Sequence, residues 1–292
     1  MEYFRTPDSR FQNLPGYPFT PNYLELKNGL RMHYVDEGQG PVFLLLHGEP
    51  SWSYLYRKMI PPLANSGFRV IAPDLVGFGK SDKPKDPQAY TYQSHLDWLK
   101  ELVHNLGLKD ISLYCQDWGG LLGLRFVGEE PDLFRRVCAA NTFLPTGDVS
   151  PGKVFLRWQK SSQTMPVMKI GELIRKGCKG FAPEIESAYD APFPEEAFKV
   201  AARKFPLLVP TTTEDPACIP NRKAWEVLSR WSRPFLTLFS DGDPITRGGD
   251  IALRERIPGA SGQPHDTIVD AGHFLQEDKG EEIAAKLISW KV

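Results

Sequence analysis

Short apolar runs recur along the chain at Val42 to Leu46, Arg69 to Ala72, Ile111 to Cys115, Arg136 to Asn141, Phe235 to Phe239 and Thr267 to Val269. Runs this brief and continuous predict strands buried on both faces, because a strand exposed on one side would alternate apolar and polar residues. Between them lie segments of helical periodicity, notably Tyr92 to Leu106, Leu121 to Val127 and Glu281 to Trp290. The alternation predicts an α/β fold, with a doubly wound, mostly parallel sheet and right-handed crossovers.

The rhythm breaks after Asn141. From about Leu144 to Asn221 strand signals disappear and prolines punctuate a helical pattern at Pro166, Pro183, Pro192, Pro194, Pro206 and Pro210. The strand pattern resumes at Pro234-Phe235. The expected organisation is a core of residues 1–143 and 222–292, with residues 144–221 inserted after one strand as a helical cap. No internal repeat or low-complexity tract is visible.

Composition narrows the function classes. A chain of 292 residues, 41% hydrophobic and 24% charged, can bury a large core, and a net charge of -1 offers no field to hold nucleic acid or an anionic membrane. The N-terminal segment lacks a basic n-region and an apolar h-region, and no run is long enough to span a bilayer, so a cytoplasmic location is expected. The four cysteines are isolated, which argues for free thiols rather than a disulfide framework or a CxxC metal site. Neither a metal nor an organic cofactor is expected, and a monomer is the simplest assembly.

Chemistry concentrates at Gln116-Asp117-Trp118-Gly119-Gly120, between an apolar run and a helical stretch. In a G-x-S-x-G nucleophile elbow the reactive side chain sits on a crowded strand-to-helix turn with small flanking residues. Here Cys115 and Gly119 are the flanks, and Asp117 occupies the reactive position. A carboxylate there forms an alkyl ester by displacement at carbon, which points away from acyl transfer. The bland alternative is an N-cap aspartate opening a helix whose glycines only allow close packing.

Hydrolysis of such an ester needs a general base held in one tautomer by an acid, on loops at the C-terminal ends of later strands. His273, in Asp270-Ala271-Gly272-His273-Phe274, follows the last strand; Ser240-Asp241-Gly242-Asp243 follows the strand before it. Asp243 is taken as the acid, because Asp241 in an Asp-Gly pair suits a turn. The order nucleophile, acid, histidine is that of α/β-hydrolases. Leu46-His47-Gly48-Glu49-Pro50 follows an earlier strand, where the backbone N–H groups of Glu49 and Trp118 can form an oxyanion hole; His47 is read as structural.

Together these residues make the chain resemble the haloalkane dehalogenases of the α/β-hydrolase superfamily, in the subfamily of the dichloroethane-degrading enzyme. The likeness runs through His47 to Pro61, Gly77 to Pro84, Gln116 to Gly120, Ser187-Ala188-Tyr189, Ala191 to Pro194, Arg203 to Pro206 and Asp270 to Phe274. It implies hydrolytic dehalogenation of small halogenated aliphatics to alcohol, halide and proton through an ester on Asp117. It further implies that two indole N–H groups clasp the leaving halide: Trp118 for the first, and Trp158, the only tryptophan of the insertion, for the second. Phe155, Phe205, Pro206, Val209 and Ile245 are then expected to line an apolar pocket. Another subfamily carries its triad acid as a glutamate near Asn141, so the amide there agrees with Asp243. The rivals are an epoxide hydrolase, which needs cap tyrosines where this insertion has only Tyr189, and a non-catalytic relative that has lost part of the triad.

Overall fold

The structure, a computed structural model, describes residues 1–290. Two-residue strands β1 (Tyr3–Phe4) and β6 (Lys83–Pro84) pair with each other. The main sheet holds β2 (Asn22–Glu25), β3 (Arg31–Glu37), β4 (Val42–Leu46), β5 (Arg69–Pro73), β7 (Ile111–Gln116), β8 (Phe134–Ala140), β9 (Phe235–Ser240) and β10 (Asp266–Ile268). Their spatial order is β10-β9-β8-β7-β4-β5-β3-β2, parallel from β10 to β5, with β3 and β2 antiparallel at one end.

All six apolar runs are strands. The runs mark neither the two-residue strands β1 and β6 nor two strands of the main sheet, β2 and β3, which lie at the sheet end with only partial burial. Their cover is incomplete, so residues such as Asn22, Arg31 and Asp36 are tolerated, and no continuous apolar run marks them.

Among the described residues there are ten α-helices: α1 (Ile60–Asn65), α2 (Tyr92–Asn105), α3 (Trp118–Glu129), α4 (Gly152–Thr164), α5 (Ile170–Lys176), α6 (Pro183–Asp190), α7 (Val200–Leu208), α8 (Cys218–Leu228), α9 (Gly249–Arg256) and α10 (Leu275–Ser289). α2 begins with a capping box between Thr91 and Ser94 and buries Leu96, Leu99, Leu102 and Val103, the spacing of one helix face. α3 is different: every residue from Trp118 to Gly128 is buried, so it reads as apolar all round. Register then sets the site. Leu46 pairs with Cys115, and Gln116 with Ala140, so β4, β7 and β8 end at one level and deliver His47, Asp117 and Asn141 to the same edge.

Helices α4 to α7 lie between β8 and β9, with α4 against α7 and α5 against α6. The expected cut after Asn221 falls inside α8, which packs on α3; a Cβ on Gly128 would lie 2.4 Å from that of Ala224. None of the described helices is long and apolar enough to cross a membrane.

Buried polar ties hold the insertion to the core. Arg57 donates two 2.6 Å hydrogen bonds to Glu277, and the Tyr189 hydroxyl of α6 donates a third, also 2.6 Å. At the N-terminus Arg5 forks onto Asp82 and Thr6 donates to the Pro192 carbonyl at 2.6 Å, while Phe4 stacks on Phe198. Removing one partner of a buried pair leaves the other charge unpaired. Glu277→Ala is therefore expected to lower unfolding stability by about 3–5 kcal/mol, read by chemical denaturation.

Candidate active site

Asp117 sits at φ 52°, ψ -127°, between β7 and α3. Left-handed backbone is costly for a residue with a Cβ, and the neighbourhood fixes it from several sides. The Asp117 N–H donates to the Asn141 carbonyl at 3.1 Å, and its own carbonyl accepts from Gly120 N–H at 2.9 Å and from the Thr142 hydroxyl at 2.7 Å. The turn leaves no spare volume: a Cβ on Gly119 would sit 2.0 Å from the Leu46 carbonyl, and one on Gly48 would sit 2.2 Å from Asp117 Oδ1.

One carboxylate oxygen, Oδ1, accepts from the Glu49 backbone N–H at 2.8 Å. The Trp118 N–H, the other expected donor, makes no hydrogen bond to the carboxylate among the described residues; as the first residue of α3 it has no intrahelical acceptor. Oδ2 lies 3.4 Å from His273 Nε2, and Nδ1 of the same ring lies 3.0 Å from Asp243 Oδ2 without hydrogen-bond alignment. Asp243 also accepts from Ile245 N–H at 2.8 Å and from the backbone and hydroxyl of Thr246. Asp241 takes the turn role, accepting from the Asp270 and Ala271 N–H groups.

Asn141 holds the histidine loop. Its amide donates to the Gly272 and His273 carbonyls at 3.1 and 3.0 Å, and its oxygen accepts from Ser240 N–H at 2.9 Å. His47 is fully buried between the Gly48 carbonyl and the Leu75 N–H, away from the reacting groups.

These groups open onto a cavity of about 440 Å³, within the range of small-ligand sites. Asp117, Trp118, Glu49 and His273 line its floor, and Phe155, Trp158, Pro206, Val209 and Ile245 line its walls. Phe205 is a correction. It is fully buried outside the cavity, packed behind Trp118 in a tilted arrangement at 4.6 Å between centroids and edge-on against Phe78 and His95, because its side of α7 faces the core. Sequence reasoning missed Lys176, Cys178 and Lys179, which also line the cavity. They belong to a segment that looks solvated in sequence but packs on the histidine loop, where the Phe274 N–H donates to the Gly177 carbonyl. All four cysteines are free, and Cys115, Cys138 and Cys218 are buried.

Electrostatics differentiate the acids. Burial would raise Asp243, but the adjacent His273 and the Thr246 and Ile245 hydrogen bonds bring it down to about 2. Burial would lower His273, but the charges of Asp243 and Asp117 push it up to about 10. Glu49 goes the opposite way. Burial and the neighbouring Asp117 charge raise its carboxyl well above the usual range, only partly countered by the Trp158 indole. Two carboxyl groups this close disfavour each other's ionisation, and the upward shift falls on Glu49.

The α/β hydrolase fold family matches residues 41–165. The chain is 54% identical to a haloalkane dehalogenase of Psychrobacter cryohalolentis, over 99% of this chain and 98% of that one. It is 48% identical to a haloalkane dehalogenase of Mycolicibacterium paratuberculosis, over 100% and 99%. Among solved structures, the tetrameric haloalkane dehalogenase of Paraglaciecola agarilytica superposes with a TM-score of 0.94 at 36% identity, covering all of both chains. The expectation of a monomer finds no support in that relative's assembly. Near-complete coverage at such identity, on an elbow that carries aspartate beside a largely apolar cavity, leads to one assignment: this chain belongs to the haloalkane dehalogenases, hydrolases of carbon–halide bonds built on the α/β-hydrolase fold.

Proposed function

We propose that the chain cleaves haloalkanes in two displacements through an alkyl ester on Asp117, with residues 144–221 serving as the cap that closes the site. The observation that carries this reading is the divided environment of one carboxylate: Oδ1 is held by Glu49 N–H, while Oδ2 faces the cavity and His273. In the first step the Asp117 carboxylate attacks the carbon that bears the halogen, and the carbon–halogen bond breaks as the ester forms. The halide departs toward the indoles of Trp118 and Trp158. Indoles suit it, since each offers a donor with no acceptor on an apolar wall, whereas a cation would pair with Asp117 and quench it.

In the second step water adds to the ester carbonyl while His273 Nε2 takes its proton. The oxyanion faces the Glu49 and Trp118 N–H groups; its collapse breaks the bond to the alkoxy oxygen, the alkoxide leaves as alcohol with the hydroxyl proton of the intermediate, Asp117 is restored as carboxylate, and His273 passes the water's proton to solvent. The electrostatics support this order. Esterification removes the Asp117 charge that helps keep His273 protonated, so the imidazole becomes a base when one is required. Glu49 acts through its backbone, and burial beside Asp117 disfavours a charge on its carboxyl, which limits repulsion toward the halide.

The epoxide hydrolase alternative loses its acid. Tyr189, the cap tyrosine, is fully buried and engaged with Glu277, not in the cavity.

With 1,2-dibromoethane, His273→Gln is expected to release about one bromide per active site and stall, with the alkyl group retained on the Asp117 peptide by mass spectrometry. General-base assistance is worth roughly a hundred- to ten-thousandfold, which gives the ester a long lifetime. Sustained turnover in that variant would falsify the covalent route. Trp158→Phe keeps the apolar wall and removes one donor; weaker bromide and chloride quenching of tryptophan fluorescence and slower cleavage are expected. Unchanged halide affinity would move the second donor elsewhere.

A further inference from the structure

Gln116, immediately before Asp117, is fully buried at the end of β7 and is used nowhere in the two steps above. Its amide nitrogen lies 3.1 Å from the His273 carbonyl oxygen and 3.3 Å from His273 Nε2. The carbonyl decides which end of the amide is which. A carbonyl oxygen only accepts, so the group facing it must be the NH₂; a flipped amide would oppose two oxygens in a buried site. With that end fixed, one N–H points at the carbonyl and the second is available to Nε2. Asn141 donates to the same carbonyl at 3.0 Å, so the histidine backbone cannot move away from the pair. The Gln116 oxygen, buried with no partner, makes no competing claim on the ring.

An N–H donor aimed at an imidazole nitrogen is compatible only with an unprotonated nitrogen. We propose that Gln116 is a positioning residue that sets the histidine tautomer: its amide, locked by the His273 carbonyl, presents a donor to Nε2 that disfavours a proton there in the resting tautomer, and the nitrogen exchanges this long 3.3 Å contact for the proton of water when the ester is attacked, with the ring proton on Nδ1 toward Asp243. This rests on the two-step mechanism. It gives Gln116 a role confined to the second step, because alkylation of Asp117 needs no proton transfer. In the resting enzyme the ionised Asp117 opposes Gln116 by favouring a proton on Nε2; in the alkyl-enzyme that opposition is gone and the amide prevails. Other ionisable groups around the ring are Asp243 on its far side, Glu49, Lys176, Cys178 and Lys179 along the cavity, and Glu277 and Asp278 at the start of α10; none is altered by substituting Gln116.

The test is single-turnover kinetics with 1,2-dibromoethane across pH, following bromide release for alkylation and the mass of the Asp117 peptide for ester hydrolysis. Gln116→Met keeps the length and removes the donor, and Gln116→Glu offers an acceptor instead. In Gln116→Met the alkylation burst should stay within about threefold of the wild type. The acid limb of ester hydrolysis should move up by about one pH unit, the scale of a single hydrogen bond, which slows hydrolysis about tenfold on that limb. Gln116→Glu should move it further. The burst also reports folding, so if the glutamate variant fails to fold, the methionine variant decides alone. A slower hydrolysis with an unmoved limb, or no change at all, overturns the tautomer role and leaves the amide a packing group. A wild-type enzyme that never carries mass on Asp117 overturns the covalent mechanism and this inference with it, whereas an ester that forms with an unmoved limb overturns the Gln116 role alone.

Discussion

A carboxylate held in left-handed backbone by the close approach of two strand ends is the constraint from which the rest of the site follows. Asp117 adopts φ 52° because its N–H, carbonyl and Oδ1 are bound to Asn141, Gly120 and Thr142, and Glu49 respectively. That geometry requires β4 and β7 to end at the same level, and it requires glycine where their loops touch: at Gly48 beside the carboxylate and at Gly119 beside the Leu46 carbonyl. Strain at one residue is tolerated because packing around it determines its conformation many times over. The same contacts leave the second carboxylate oxygen facing the cavity.

Burial would be a liability for so many ionisable groups without a division of charge. Asp243 stays anionic because three donors and an imidazole surround it, and the Glu49 carboxyl is raised because it has burial and a neighbouring anion but little to hold a charge. His273, between Asp117 and Asp243, is the group whose charge depends on whether Asp117 is ionised. Three carboxyl groups of similar intrinsic acidity thereby take three different parts, and the surroundings alone assign them.

The polar ties between the helices that follow β8 and the rest of the chain lie away from the cavity lining. Arg57, Glu277 and Tyr189 form a buried junction between core and insertion, and the N-terminal arm joins Asp82 of the core to Pro192 of the insertion. With those ties carrying the attachment, α4 and the segment after α5 can arch over the floor and leave about 440 Å³ open. Trp118 is held by Phe205 and Tyr92 behind it, so its indole sits at the cavity wall without needing a ligand to order it.

What the sequence by itself determined was local. The six continuous apolar runs name the covered strands, since a strand buried on both faces has no polar positions to spare, and the elbow and the two loops after β9 and β10 mark Asp117, Asp243 and His273. β2 and β3 escaped because a partly exposed strand carries no such run. Tertiary structure decided what depends on residues far apart in the chain meeting in space. It turned Phe205 to the core and Pro206 to the cavity, brought Lys176 and Cys178 against the histidine loop, and set Glu49 beside Asp117, which raises the Glu49 carboxyl. It also brought Gln116 within hydrogen-bond distance of a ring 157 positions later. Periodicity reports which face of an element is apolar; it does not report what that face meets, and both a pocket wall and a shifted proton affinity are properties of the meeting.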